Sequence, residues 1–120
     1  MARTVLNVHE LDARNTFAEA FTTLEQAVDA TSGAELTMEA GDDKYLILAH
    51  NDATSAKTVT VKKGNGLQGV ADLTVSLAAS SYTAIVLESG HFKNVSGDDK
   101  GKVIIMGGST DIKLAVFKLP

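Results

Sequence analysis

From residue 45 onward the chain alternates apolar and polar side chains with a period of two, and this restricts the fold more than any other feature. Lys57-Thr58-Val59-Thr60-Val61-Lys62 places Val59 and Val61 on one face and Thr58, Thr60 and Lys62 on the other. Leu73-Thr74-Val75-Ser76-Leu77 repeats the pattern, and Ile112 to Lys118 sets Ile112, Leu114 and Val116 together. Side chains alternate across a strand, so each run is a half-buried strand with one face toward a core. Tyr45 to Ala49, Thr83 to Leu87 and Val103 to Met106 are more continuously apolar and read as central strands.

Between the runs stand Gly41-Asp42-Asp43, Asn51-Asp52, Gly64-Asn65-Gly66, Gly97-Asp98-Asp99-Lys100-Gly101 and Gly107-Gly108-Ser109. Such residues reach left-handed backbone conformations at low cost, which tight reversals demand. The single proline is residue 120, so no strand interior is interrupted. With Thr4 to Val8 and Ala34 to Met38 added, eight strands are expected. Their spacing points to an all-β sandwich or barrel. Residues 16 to 28 carry Phe17, Ala20, Phe21, Leu24, Ala27 and Val28 at spacings of three and four, behind a Thr16-x-x-Glu19 capping-box pattern. Either a short helix or an extended arm fits them, since Thr22-Thr23 is a poor helix former. The expected organisation is residues 1–30 as a strand plus arm or short helix, and 31–120 as the sandwich.

A chain of 120 residues suits one domain. Its net charge of −4 argues against a nucleic-acid surface, which normally carries a basic excess. With no cysteine, disulfide, zinc-thiolate and thiol chemistry are excluded together. No apolar run of about 18 residues is present, so no membrane partner is expected. The start lacks the roughly 7–15-residue apolar stretch of a signal peptide, which suggests a cytosolic product or one released by lysis. Four Phe, two Tyr and no Trp leave few platforms for sugars or single strands.

Catalytic groups do not converge in the sequence. His9, His50 and His91 lie far apart without metal-ligand spacing, and exposed or capping roles are expected for them. The pairs Asp42-Asp43 and Asp98-Asp99 flank glycine turns, where the burial needed to split their pKa values is not expected. No Gly-x-Ser-x-Gly elbow occurs. Gly64-Asn65-Gly66-Leu67-Gln68-Gly69 fits the dinucleotide pattern, yet a strand rather than a helix follows it at Leu73, so it reads as a shaped loop. No enzyme, cofactor or metal is expected.

The order of motifs resembles one family. Tyr45-Leu46-Ile47-Leu48-Ala49-His50-Asn51 leads into Ala56-Lys57-Thr58-Val59-Thr60-Val61, then Gly69-Val70-Ala71-Asp72-Leu73-Thr74-Val75. Ile85 to Phe92, Gly101 to Ile105 and Asp111 to Val116 complete the series. Over about residues 40 to 118 this is similar to the small jelly-roll decoration (cementing) proteins of tailed bacteriophage and prophage capsids. The likeness rests on strand and turn signatures, such as the Asn closing a central strand, and residues before about 40 fall outside it. It implies an all-β fold, a jelly-roll-like β-sandwich, and a structural virion protein, made in the host cytoplasm and seated on the capsid surface. The implied partner is the major capsid protein, whose subunits it bridges, and the implied assembly is a homotrimer. A head-fibre or tail domain, or a host-glycan-binding sandwich, is the alternative. The contact residues expected toward the capsid or a neighbouring subunit are Val5, Leu6, Leu11, Phe17, Phe21 and Leu24. The competing reading puts the same residues in the chain's own core.

Overall fold

The computed structural model describes residues 3–11, 13–39 and 44–120. The Gly41-Asp42-Asp43 turn and its carboxylate pair fall outside them. Ten strands and two single helical turns are present among the described residues. The strands are β1 (Thr4–Val5), β2 (Val8–Glu10), β3 (Gln26–Ala27), β4 (Ala34–Thr37), β5 (Tyr45–Asn51), β6 (Lys57–Val61), β7 (Leu73–Leu77), β8 (Ser81–Ile85), β9 (Lys102–Met106) and β10 (Ile112–Lys118). The turns are α1 (Phe21–Leu24) and α2 (Ser89–Phe92).

One sheet runs β1-β4-β9-β6-β7 and the other β2-β10-β5-β8, with β3 also on β10. Counted from β3, the last eight strands lie in the orders 3-10-5-8 and 4-9-6-7, all antiparallel to their neighbours. That is the winding of a jelly roll, a sandwich of two sheets. Two strands exceed the eight read from sequence. The run Thr4 to Val8 divides into β1 and β2, and β3 lies within the stretch read as helical.

The alternating patterns bury the expected faces, except on β7, where Leu73 is exposed and Val75 half-buried beside the buried Leu77. Val59, Val61, Leu77, Val103, Ile105, Ile112, Leu114 and Val116 fill the space between the sheets with Leu36, Met38 and Ile47. On β5 the inward row is Tyr45, Ile47, Ala49 and Asn51. The outward row, Leu46, Leu48 and His50, is cross-paired with Phe117, Ala115 and Lys113 of β10. Burying a Val, Leu or Ile is worth about 1.5–3 kcal/mol each, so this layer is what holds the sheets together.

Of the two readings open for residues 16–28, the structure has an extended arm that contains one short helical turn. Only the four residues of α1 are helical, Ala20 rather than Thr16 precedes them, and no side chain caps them. The three-and-four spacing arises from residues with different tasks. Phe21 packs on a sheet, Ala27 pairs as a strand and Val28 enters the core. The strand expected over Thr83 to Leu87 sits two residues earlier, because Ser81 and Tyr82 pair with Asn51 and His50, and it is an edge strand rather than the central one expected.

Candidate interaction surface

The sandwich has two open sides, and the N-terminal segment closes one. β1 lies parallel to β4 at the edge of the first sheet, with Thr4 beside Ala34 and Val5 beside Glu35. Two residues later β2 lies parallel to β10 at the edge of the second, with Val8 beside Val116. Between them Leu6 turns inward and is 5% exposed, plugging the gap between the layers. Here the backbone leaves one ladder for the other, and Gln26 supplies the missing partners. Its Oε1 accepts from the Asn7 amide at 2.8 Å and its Nε2 donates to the Val5 carbonyl at 2.8 Å. One side-chain amide thus stands in for a strand at the crossing.

The crossing is tied down again beside it. Thr4 Oγ1 donates to the Ala27 carbonyl and accepts from the Asp29 amide. The Asp29 carboxylate accepts from Ser32 and Thr31, which holds its pKa below the ordinary carboxylate value. Gly33 closes the turn at φ 80°, and a Cβ there would strike Met106 and the Ile105 carbonyl. Arg3 donates to both oxygens of Asp99, at 2.8 and 3.3 Å, so the Asp99 pKa also falls below its usual range.

Beyond β2 the chain turns at Asn15 (φ 62°) and crosses the outer face of the second sheet. Phe21 meets Tyr82 edge-on at 5.1 Å and His50 at 6.0 Å, while Tyr82 stacks flat on His50 at 4.2 Å. The Glu25 carboxylate reaches His50 Nδ1 at 2.9 Å and Lys113 Nζ at 3.9 Å, with both the Glu25 and His50 side chains about nine-tenths buried. Lys113 also donates to Asp52 at 3.0 Å, which raises the Lys113 pKa and lowers that of Asp52. The expectation that the histidines are exposed or capping is corrected for His50: it is the buried anchor of the arm. His9 packs on Phe117 at 5.9 Å, and its Nε2 is enclosed without a hydrogen-bond partner among the described residues.

The six residues singled out from sequence therefore separate. Leu6 belongs to the core. Phe21, Leu11 and Leu24 are half-buried on the arm, Leu11 and Leu24 lining a groove of about 590 Å³ with Val8, His9, Phe17 and Ala18. Val5 is 63% exposed and Phe17 90% exposed. Phe17 to Glu19 make no hydrogen bond to any described residue, so their backbone and the Phe17 ring both face outward.

The opposite side was missed by sequence reasoning. Asn51, fully buried, directs its Nδ2 at the carbonyls of Ser55, Leu77 and Ala78 (3.0–3.2 Å), and its Oδ1 accepts from the Ala53 amide. That amide fastens the β7–β8 crossover to the β5–β6 loop. In sequence the residue showed as part of an Asn-Asp turn and as the Asn closing a central strand, and neither pointed to the far crossover that it fastens.

The aromatics that a sugar platform would use are dispersed. Tyr45 and Phe117 are buried, Phe92 packs on the core, and Tyr82 gives one face to His50. Gly64 to Gly69 joins two antiparallel strands, and Gly69 sits so close to the Gly64 carbonyl that a Cβ would collide with it. Among the described residues no three His, Cys, Asp or Glu side chains gather as a metal site, and no helix is long and apolar enough to cross a membrane. Comparison with family models, with curated proteins and with solved structures finds no match to this chain.

Proposed function

We propose that this chain is a structural virion protein that sits on the outside of a phage or prophage capsid and stabilises it by bridging major capsid subunits. The observation that carries the reading is Phe17, nine-tenths exposed on an arm fixed at both ends: by β2 on β10, and by Phe21, Glu25 and β3 on the second sheet. An aromatic ring held exposed on an anchored segment offers an anchor that a partner's pocket can bury. Val5 adds a second exposed apolar side chain on the same segment. A stiff sandwich bearing a pre-ordered arm loses little entropy on docking, which suits a clamp under mechanical load. The motif likeness over residues 40 to 118 supplies the capsid partner; the homotrimer that it also implies competes with the two-fold contact inferred below, and the mass in solution decides between them.

The test is co-sedimentation of purified protein with particles of the encoding phage or prophage that lack it. Binding of the wild type, weakened at least tenfold by Phe17→Ser with the fold intact by circular dichroism, is expected. No binding by the wild type would reject the reading. Removing residues 2–28 is a poor substitute, because it also removes Leu6 and Val28 from the core.

A further inference from the structure

Residues 73 to 87 read Leu-Thr-Val-Ser-Leu-Ala-Ala-Ser-Ser-Tyr-Thr-Ala-Ile-Val-Leu: fifteen consecutive residues without a charge, a glycine or a proline. In a chain that is 22% charged this run is exceptional, and the fold places it all on one side. It forms β7 and β8, the edge strands of the two sheets opposite the N-terminal strap. Exposed edges invite pairing with another chain, and proteins blunt them with charges, proline, very short strands or a covering segment. The strap side uses such devices: β1, β2 and β3 are two or three residues long and are crossed by the Gln26 amide. The β8 edge has none. Its outward backbone edge makes no hydrogen bond among the described residues, and its outer row is Tyr82 (54% exposed) and Ala84, continued just past the strand by Val86 (66% exposed).

We infer that β8 pairs antiparallel with β8 of a second copy of this chain, joining the two sheets into one. The occupant follows from charge and symmetry. Two copies each carry a net charge of −4 and repel over most of their surface, and this is a long edge on which they meet without charge. An antiparallel pair of identical strands is self-complementary, as a two-fold contact requires. A register centred on Ala84 sets Tyr82 opposite the partner's Val86, an aromatic on a β-branched residue, which is a favourable cross-strand pair. The contact leaves Phe17 and Val5 free and does not depend on the capsid-surface reading.

Light scattering on size-exclusion eluates, over a wide concentration range, tests it. The expected wild-type mass is twice the 12.6 kDa chain, or a larger even multiple. Ala84→Lys, which sets two ammonium groups face to face, and Val86→Lys, as a second substitution at an exposed site, should each halve it. Thr54→Lys, in the β5–β6 loop, should not change it. Amide exchange in residues 81–87 should slow with concentration in the wild type alone. A monomer at every concentration, a trimer, or an even assembly unaffected by both β8 substitutions overturns the pairing. A trimer would do so while leaving the particle-binding test above untouched.

Discussion

The two sides of the sandwich are closed by opposite means. On one, a separate segment does the work: β1 and β2 extend the sheets, Leu6 plugs the gap, and Gln26, Thr4 and Arg3 fix the crossing with polar contacts drawn from distant parts of the chain. On the other, nothing is added. The chain passes from β7 to β8, and the passage is held from the end of β5 and the loop after it: Asn51 donates to the Leu77 and Ala78 carbonyls, and the Ser80 amide donates to the Ala53 carbonyl. The strap side spreads its contacts over distant parts of the chain, whereas the β7–β8 side gathers them around one loop, with Asn51 their buried member.

The sharpest way to break this contrast is Asn51→Asp. It turns a four-bonded amide into a carboxylate facing three carbonyl oxygens in a fully buried place. An uncompensated buried charge costs roughly 3–5 kcal/mol, so denaturant midpoints should fall steeply or the protein should fail to fold. Next is Leu6→Ala on the strap side, expected to cost about 2–4 kcal/mol as a cavity the neighbours only partly fill. Equal losses from the two would mean that the plug, not the strap's polar contacts, closes that side.

A smaller effect is expected from Glu25→Ala. It removes the partner of His50 and one of two partners of Lys113 and should cost about 1–3 kcal/mol. Amide exchange should quicken in residues 17–25 and leave residues 73–87 as they were. If both regions loosen, the arm is part of the cooperative core rather than a latch upon it. Acid gives the smallest effect. Asp99 is lowered by its hydrogen bond from Arg3, Asp29 by Ser32 and Thr31, and Asp52 by Lys113, and all three serve the strap and arm. Only Asp72, held low by the Lys63 amide and Lys62, adjoins β7. A depressed carboxylate contributes stability fully above its unfolded value near 3.8, and the contribution is lost as pH falls through the folded value. Below about pH 4, NMR shifts of the strap should therefore move before those of β8.

The sandwich was legible because its long strands speak locally. Val59 and Val61, or Leu114 and Val116, declare their face without reference to any partner. The N-terminal third was not, because its structure is set by residues far along the chain. β3 is two residues long and exists because Lys113 and Leu114 offer it an edge. Leu6 changes sheets where nothing in Thr4 to Val8 marks a break, and Glu25 finds His50 across 25 residues. Of the six expected contact residues, exposure picks out Val5 and Phe17, a distinction that periodicity does not contain. The bare edge could have been found: fifteen uncharged residues stand in plain view, but their meaning depends on learning that both strands are edges.

The register of β2 carries a consequence for the order of assembly. Val8, His9 and Glu10 pair with Val116, Phe117 and Lys118, so β2 finds its ladder only in a strand 108 residues further along the chain. Ring closures of this span are slow to form. β2 therefore has nowhere to pair during synthesis until β10 has emerged, whereas β1 can meet β4 much sooner. The two halves of the strap dock on partners made at very different times.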